Sequence, residues 1–570
     1  MNTRRQHSLL TVSLAPPLKR FTLLNKVDEE LIIEGKSFFL GTNQYPGKVF
    51  PEGYRYLSKF ILDYFPEIDF ELDGNRLSKK ILMPGHSSSV FIHYENQSKK
   101  EMTLRLLPMI SFRLKDDLIK EGDGFLVDEL PDGVRIMADM ALPRLYLKLS
   151  QIYSTSPESF WYRDFIYHDD NGDYGENRED LYNIGYWETV IEPGKGLTFA
   201  ASTRDLGEFN FGEIERRFVE EAEHLRQQSG LPKKFGRLAD AASRHIVKSK
   251  ISRGFTFIRG YPYGAVKTRD SLIALDGISH LSDKSNFESS FLYNIVANEL
   301  NGILPASVDE LTQQVRYDDP EIPLYLGVAL YRSGQKDSET EIRRRFLPTL
   351  ENAADMIIEN NSGDKKSASD QLILSDGAKD FGSLVKNASL NALWYSLLRL
   401  IDDTKIIAGE TPKYSELATD LELSYYEKYF ESDGNFRMHI SDSHVSAEMA
   451  IPLVVPFSPL NDEQAARICR QLSGVFLNDL AVAANTPGGI VVDFLAGIYL
   501  CEAASRMRSC QEEFGKLKEF ADSLLSFIEI QECVSGLCRF NKSSKSDRRD
   551  ISSLVMIGEA IRLVKLLRLK

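Results

Sequence analysis

Cysteine is scarce in this sequence and poorly placed for a disulfide framework. The 570 residues include five, Cys469, Cys501, Cys510, Cys533 and Cys538, all in the last fifth of the chain. An odd count without paired zinc spacing argues against both a disulfide scaffold and a metal knuckle, leaving buried free thiols. Long apolar runs are also missing. Nothing approaches the roughly 20 residues needed to span a bilayer, and the run from Leu9 to Leu18 contains Pro16 and Pro17 and is too weak for a signal peptide. A cytoplasmic chain without a membrane partner is expected. There is no surplus of positive charge: 69 Lys and Arg face 83 Asp and Glu, a formal net charge of −14, so no nucleic-acid partner is expected. The sequence has no Gly-rich phosphate loop and no Ser or Cys nucleophile motif. His439 and His444 lie close together but lack a third ligand, and no metal or cofactor is expected.

Two regions differ in texture. Residues 20 to about 205 read as short strands separated by turns. Examples are Ser89–Tyr94 and Met102–Leu107, with turn signals at Glu34-Gly35, Asp73-Gly74-Asn75 and Pro131-Asp132-Gly133. Leu72–Leu77 predicts a hairpin around an Asp-Gly turn, and many short strands at regular spacing predict a sandwich. From Glu213 the period becomes helical, broken near Gly230-Leu231-Pro232, and helical patterns then recur to the end. Expected helices include Asn387–Ile401, Glu463–Leu480, Ile490–Arg506 and a closing Ser552–Leu569. The resulting division is a β-sandwich over 1–210, a helical linker over 211–235 and an all-helical domain over 236–570. Composition alone does not separate an α/α toroid from an α-solenoid.

The segment richest in chemistry is Gly260-Tyr261-Pro262-Tyr263-Gly264, which runs through Arg269-Asp270 into an apolar helix. Aromatic faces for a sugar ring and a carboxylate at the mouth of a helix are what a glycoside site needs. A helix N-terminus favours ionised Asp270, and an Arg269 partner would add to that; a general acid needs the opposite shift, supplied by burial. Spacing alone favours a plainer reading, in which Asp270 caps the helix and Arg269 is solvated. The run Asp169-Asp170-Asn171-Gly172-Asp173 has the opening spacing of a calcium loop, but Tyr174 stands where that loop needs Gly and Asp180 where it needs Glu. A solvated loop is the better reading.

The Gly260–Asp270 stretch resembles the signature of the amylo-α-1,6-glucosidase, or bacterial-type glycogen debranching, family. Other segments agree in order along the chain: Gly41–Gly47, Pro51–Leu57, Glu179–Tyr182, Asn391-Ala392-Leu393-Trp394-Tyr395 and Ser458-Pro459-Leu460. The resemblance implies an N-terminal supersandwich followed by an (α/α)6 toroid of the six-hairpin glycosidase type. It implies inverting hydrolysis of α-1,6-linked glucose from glycogen or limit dextrin, with Asp270 as general acid. The expected substrate-binding residues are Tyr261, Tyr263, Arg269, Asp319, Glu321, Asp376, Asn391 and Trp394, and the partner is an α-glucan or oligosaccharide.

Departures fall within the same motifs. Thr268 and Tyr263 replace the family's Gly and Trp, Ser389 replaces a Glu, and Thr486–Val492 lacks the family's His and Trp. The segment matching the family's general-base Glu, Val534–Asn541, has no carboxylate. Glu532 is the nearest acid upstream and the candidate base; Asp547 and Asp550 follow downstream. These losses keep a second expectation open, a catalytically impaired relative that binds α-glucan or serves as a scaffold.

Overall fold

A computed structural model describes residues 2–85, 87–156, 158–170, 176–249, 254–261, 264–279, 281, 287–309, 311–333, 339–362, 370–374, 386–439, 447–483, 494–507 and 552–566. Contacts divide the chain into two units, Met1–His224 and Leu225–Lys570.

The first unit is a β-sandwich of two large antiparallel sheets. Strand Leu18–Ile33 pairs with Met102–Leu114 along most of its length and forms the middle of one sheet. Strands Ser89–Asn96 and Gly196–Ser202 centre the other. Alternation in Met102–Leu114 sends Met102, Leu104 and Leu106 inward, where they meet Phe199, Leu147 and Leu77 of the facing sheet. The hairpin at Asp73-Gly74 joins Pro66–Leu72 to Asn75–Leu82, with both turn residues at positive φ, 49° and 78°. Charge is buried at the chain's start: Arg5 pairs with Asp170 at 3.0 Å, and Arg113 is bound to Glu179, which also receives Tyr167 and Asn25. Asp180 accepts from the backbone N–H groups of Glu121 and Asp164. Asp170 and Asp180 of the calcium-like run therefore serve internal bonds.

Helix α1 (Phe211–Gln228) leaves the sandwich, and α2 (Gly236–His245) follows after the break at Gly230. The remaining helices are α3 (Thr268–Ser279), α4 (Phe287–Ala297), α5 (Ile322–Ser333), α6 (Glu339–Ser362), α7 (Ala388–Ile407), α8 (Ser415–Tyr429), α9 (Ile451–Val454), α10 (Asp462–Ala483), α11 (Phe494–Arg506) and α12 (Leu554–Leu566). Among the described residues α3, α5, α7, α9 with its preceding turn Ala447–Ala450, α11 and α12 pack in that order, and α12 returns to α3. Helices α2, α4, α6, α8 and α10 lie outside this ring and alternate with it along the chain. This is an (α/α)6 toroid, and alternation along the chain starts α3, α5, α7, α9 and α11 at the same end.

Two features close the ring. Where α3 meets α12, a Cβ on Gly277 would lie 1.8 Å from the Gly558 carbonyl oxygen, and one on Gly558 would lie 2.7 Å from Ala274. Only glycine allows this approach. Toward the C-terminal ends of the inner helices lies a buried ionic cluster. Arg562 of α12 reaches Glu502 of α11 at 2.5 Å and Glu559 on its own helix at 3.0 Å. Arg332 of α5 stands 3.5 Å from Glu559 and 3.9 Å from Glu502. Arg506 pairs with Glu502 at 2.5 Å. Burial alone would raise the Glu502 pKa, but Arg562, Arg332 and Arg506 outweigh it and hold it below the usual carboxylate range.

Two outcomes are expected in denaturant unfolding of the helical unit. Gly277→Ala gains about 1 kcal/mol of helix propensity but overpacks the α3–α12 contact, for a net loss of roughly 1–3 kcal/mol; unchanged stability would place those helices further apart. Glu502→Gln leaves three arginines short of a counter-charge and costs about 3–5 kcal/mol at neutral pH. Because the folded Glu502 pKa is depressed, its contribution is present above an unfolded value of about 4.3 and is lost as pH falls below it. The variant should therefore lose less stability on acidification than the native chain, and equal acid sensitivity would refute this role.

Candidate active site

The Asp270 loop is a tight turn closed by its own backbone. Ile258 bridges Val266, the Arg259 N–H donates to the Ala265 carbonyl at 2.9 Å, and Gly264 N–H donates to Gly260 at 2.6 Å. A Cβ at Gly264 would fall 2.2 Å from the Gly260 nitrogen, so residue 264 must be glycine. Gly260–Tyr261 pairs antiparallel with Ser552–Ser553, and Leu554 N–H donates to the Arg259 carbonyl at 2.9 Å. His245, wholly buried, contacts the Ile258 carbonyl through Nδ1 at 2.7 Å and fixes the strand that enters this loop.

A three-stranded sheet then places the charges. Val266–Lys267, immediately before α3, pairs with Ser307–Val308, which pairs with Val315–Arg316, a short step before Asp319. Two segments 50 residues apart thus converge. Arg269 donates to Asp319 through Nε at 2.9 Å and Nη2 at 2.5 Å, and Nη2 lies 2.8 Å from Glu321. Its guanidinium lies 5.1 Å from the centre of the Tyr325 ring on α5. Burial opposes the Arg269 charge, but Tyr325, Asp319 and Glu321 outweigh it and raise its pKa further. Asp319 also accepts from the Glu321 N–H at 3.0 Å, which starts α5.

Asp270 sits in the first turn of α3, its side chain 27% exposed and therefore open to solvent, with Arg259 Nε 3.8 Å away. Arg259 is the arginine 3.8 Å from Asp270; Arg269, partly exposed, is engaged by Asp319 and Glu321, which the sheet delivers to it. Behind the site a cavity of about 60 Å³, lined by Phe255, Phe291, Ile295 and Val308 among others, is mostly apolar.

Other expected site residues fall elsewhere. Trp394 is 1% exposed in the helical core, and Asn391 is fully enclosed. Asn391 accepts from Ile373 N–H at 2.7 Å and donates to the Ile373 and Asn387 carbonyls and the Tyr429 hydroxyl. With Asn391 sealed and fully engaged and Trp394 sealed, neither presents a face to a sugar; Asn391 instead pins the chain just before residues 375–385. Tyr261 contributes its backbone to the short strand pair. Tyr263, Asp376, Glu532, Asp547 and Asp550 lie outside the described residues, as do Thr486–Val492 and Val534–Asn541. Cys469 and Cys501 are buried, while Cys510, Cys533, Cys538 and His444 lie outside the described residues.

Sequence reasoning did not single out Arg259, Tyr325 or Glu448. Glu448 is exposed, in the turn that precedes α9, and its backbone carbonyl accepts from Ser389 Oγ at 2.5 Å. Burial raises the Tyr325 pKa, and Glu321, Glu448 and Asp319 add to it against Arg269. The Glu448 charge thus acts on the Tyr325 hydroxyl. No local motif marks Glu448.

The family model for the N-terminal part of glycogen debranching enzyme matches residues 1–198, and that for amylo-alpha-1,6-glucosidase matches residues 240–482. The chain belongs to the glycogen debranching enzyme family. No curated protein matches it in sequence. A bacterial glucoamylase solved with acarbose shares the fold at 9% identity, with a TM-score of 0.57 covering 100% of this chain and 92% of the other. A putative kojibiose phosphorylase from the human microbiome aligns at 9% identity and TM-score 0.48, covering 97% and 81%. This family member thus has the two-part sandwich and toroid architecture within a glycoside hydrolase family.

His245 gives the site a pH-dependent anchor. Burial outweighs its bond to Ile258 and lowers its pKa from 6.5 to about 4. Its folded pKa lies below the unfolded one, so its contribution is complete above about pH 6.5 and is lost as pH falls toward 4, by about 3 kcal/mol in total. Denaturant unfolding at several pH values should show a slope in this window that His245→Gln flattens; an unchanged slope would assign it to other groups.

Proposed function

We propose that this protein is a glycosidase that hydrolyses α-1,6-linked glucose from glycogen or limit dextrin with inversion. The observation that carries this reading is the placement of Asp270: a solvent-reachable carboxyl in the first turn of an inner helix, at the end of the toroid where α3, α5, α7, α9 and α11 begin. The resemblance of the Gly260–Asp270 stretch to the amylo-α-1,6-glucosidase family supports the substrate class and a general-acid role for Asp270. Arg269, Asp319 and Glu321 form a rigid charged wall beside it, with Tyr325 behind, and their spare polar edges suit sugar hydroxyls.

Both Arg259 and the helix N-terminus favour the carboxylate form of Asp270. A bound sugar that displaces water from this corner opposes them and favours the protonated donor. Val534–Asn541, without a carboxylate, supports a second reading: a protein that binds α-glucan without turning it over.

Incubation with a glucosyl-α-1,6 limit dextrin, scored by released glucose and by binding, separates the two. Turnover is expected, and Asp270→Asn should lower it by roughly 10²–10⁴-fold with binding retained. Binding without turnover by the native chain would establish the second reading. A variant as fast as the native chain would remove Asp270 from the role of acid.

A further inference from the structure

We infer that Glu448 is the general base of this site, the carboxylate that activates water opposite Asp270. The inference rests on the glycosidase reading above and adds the residue that the matched C-terminal segment does not supply.

The first argument is position in the ring. The inner segments follow the order α3, α5, α7, α9 with its turn, α11, α12 and back to α3. In a six-membered ring the first and fourth positions face each other across the axis. Asp270 occupies the first turn of the first segment, and Glu448 lies in the turn that opens the fourth. Since α3 and α9 start at the same end, both carboxyl groups belong to one mouth of the toroid. An inverting glycosidase needs its two carboxyls on opposite sides of the sugar, about 6.5–9.5 Å apart, so that a water fits between base and anomeric carbon.

The second argument is anchoring and surroundings. Met449 and Ala450 next to Glu448 are buried in the helical core, and Ser389 at the start of α7 holds the Glu448 carbonyl. The side chain itself is exposed. Its charge acts on the Tyr325 hydroxyl, and the Tyr325 ring carries Arg269. Glu448, Asp319 and Glu321 all act on that hydroxyl. The latter two are occupied by Arg269, and Glu448 has no arginine or lysine bridge among the described residues.

The step balances without a further reactant. The Asp270 carboxylic acid gives its proton to the glycosidic oxygen as the bond from that oxygen to the anomeric carbon breaks. A water oxygen bonds to the same carbon from the opposite face, and Glu448 takes the water proton. The products are β-glucose and the shortened glucan, and solvent returns the proton from Glu448 to Asp270.

The test uses full-length native protein, Glu448→Gln and Asp270→Asn on two substrates, limit dextrin and α-glucosyl fluoride. Fluoride leaves without a general acid, so Asp270→Asn should lose less on the fluoride than on dextrin. Glu448→Gln should lose roughly 10²–10⁴-fold on both, with KM little changed. Azide, a nucleophile that needs no base, should restore turnover of the fluoride and yield β-glucosyl azide. Because Glu448 is exposed, the variant should fold, and an unchanged circular dichroism spectrum and denaturant midpoint verify that it has. If Glu448→Gln stays within about threefold of an active native enzyme, the inference falls and the glycosidase reading stands. If the two variants show the reverse substrate pattern, Glu448 is the acid and the inference falls as stated. If the native protein turns over neither substrate, both readings fall together.

Discussion

The helical unit depends on charges that have no access to water. Glu502 and Glu559 are sealed between α5, α11 and α12, where an isolated carboxylate would be prohibitively unfavourable. They are tolerable only because Arg332, Arg506 and Arg562 converge on them. Buried ion pairs are weak contributors to net stability, but they penalise every arrangement that separates the partners. Here the penalised arrangements are those in which the ring fails to close in this order, so the cluster acts chiefly on specificity of assembly. The Gly277–Gly558 contact works alongside it, bringing α3 and α12 closer than side chains would permit.

The opposite end of the same helices is built differently. There the ion pairs are partly exposed: Arg269 with Asp319 and Glu321, and Arg259 facing Asp270. Water screens such pairs, and the energy of each is modest. What they confer is orientation. Arg269 joins the first turn of α3 to the residues that start α5, so the positions of Asp270 and Asp319 are coupled. One end of the toroid is thus dry and locked, while the other is wet, charged and able to exchange partners with a ligand. The division suits a protein that must present carboxyl groups to a polar substrate while the scaffold beneath stays fixed.

Much of the architecture is legible in the residues. Asp73-Gly74 between alternating runs specifies a hairpin. Helical period locates α7, α10, α11 and α12, although α7 extends six residues past the expected Ile401 to Ile407; the expected start of α11 at Ile490 lies outside the described residues. The site is legible only in part. The Arg269-Asp270 pair stands out, but the partner of Arg269 is 50 residues away and is chosen by a three-stranded sheet that no local pattern announces. Asn391 and Trp394 show the limit from the other side. An amide and an indole near a helix start look alike whether they face a cavity or a core, and here both face the core. Glu448 carries no motif, and only the order of packing around the ring brings it opposite Asp270.

The two-residue ladder between Gly260–Tyr261 and Ser552–Ser553 has a consequence for biosynthesis. The loop bearing Asp270 is held by a segment translated almost 300 codons later, and α3 has its closest neighbour in the helix that follows that segment. While the ribosome is still working through the intervening codons, the sandwich can be finished but the reactive corner cannot. Competence therefore arrives late, after residue 566 has cleared the exit tunnel, and a nascent or prematurely terminated chain would be a sandwich carrying an open, incomplete ring.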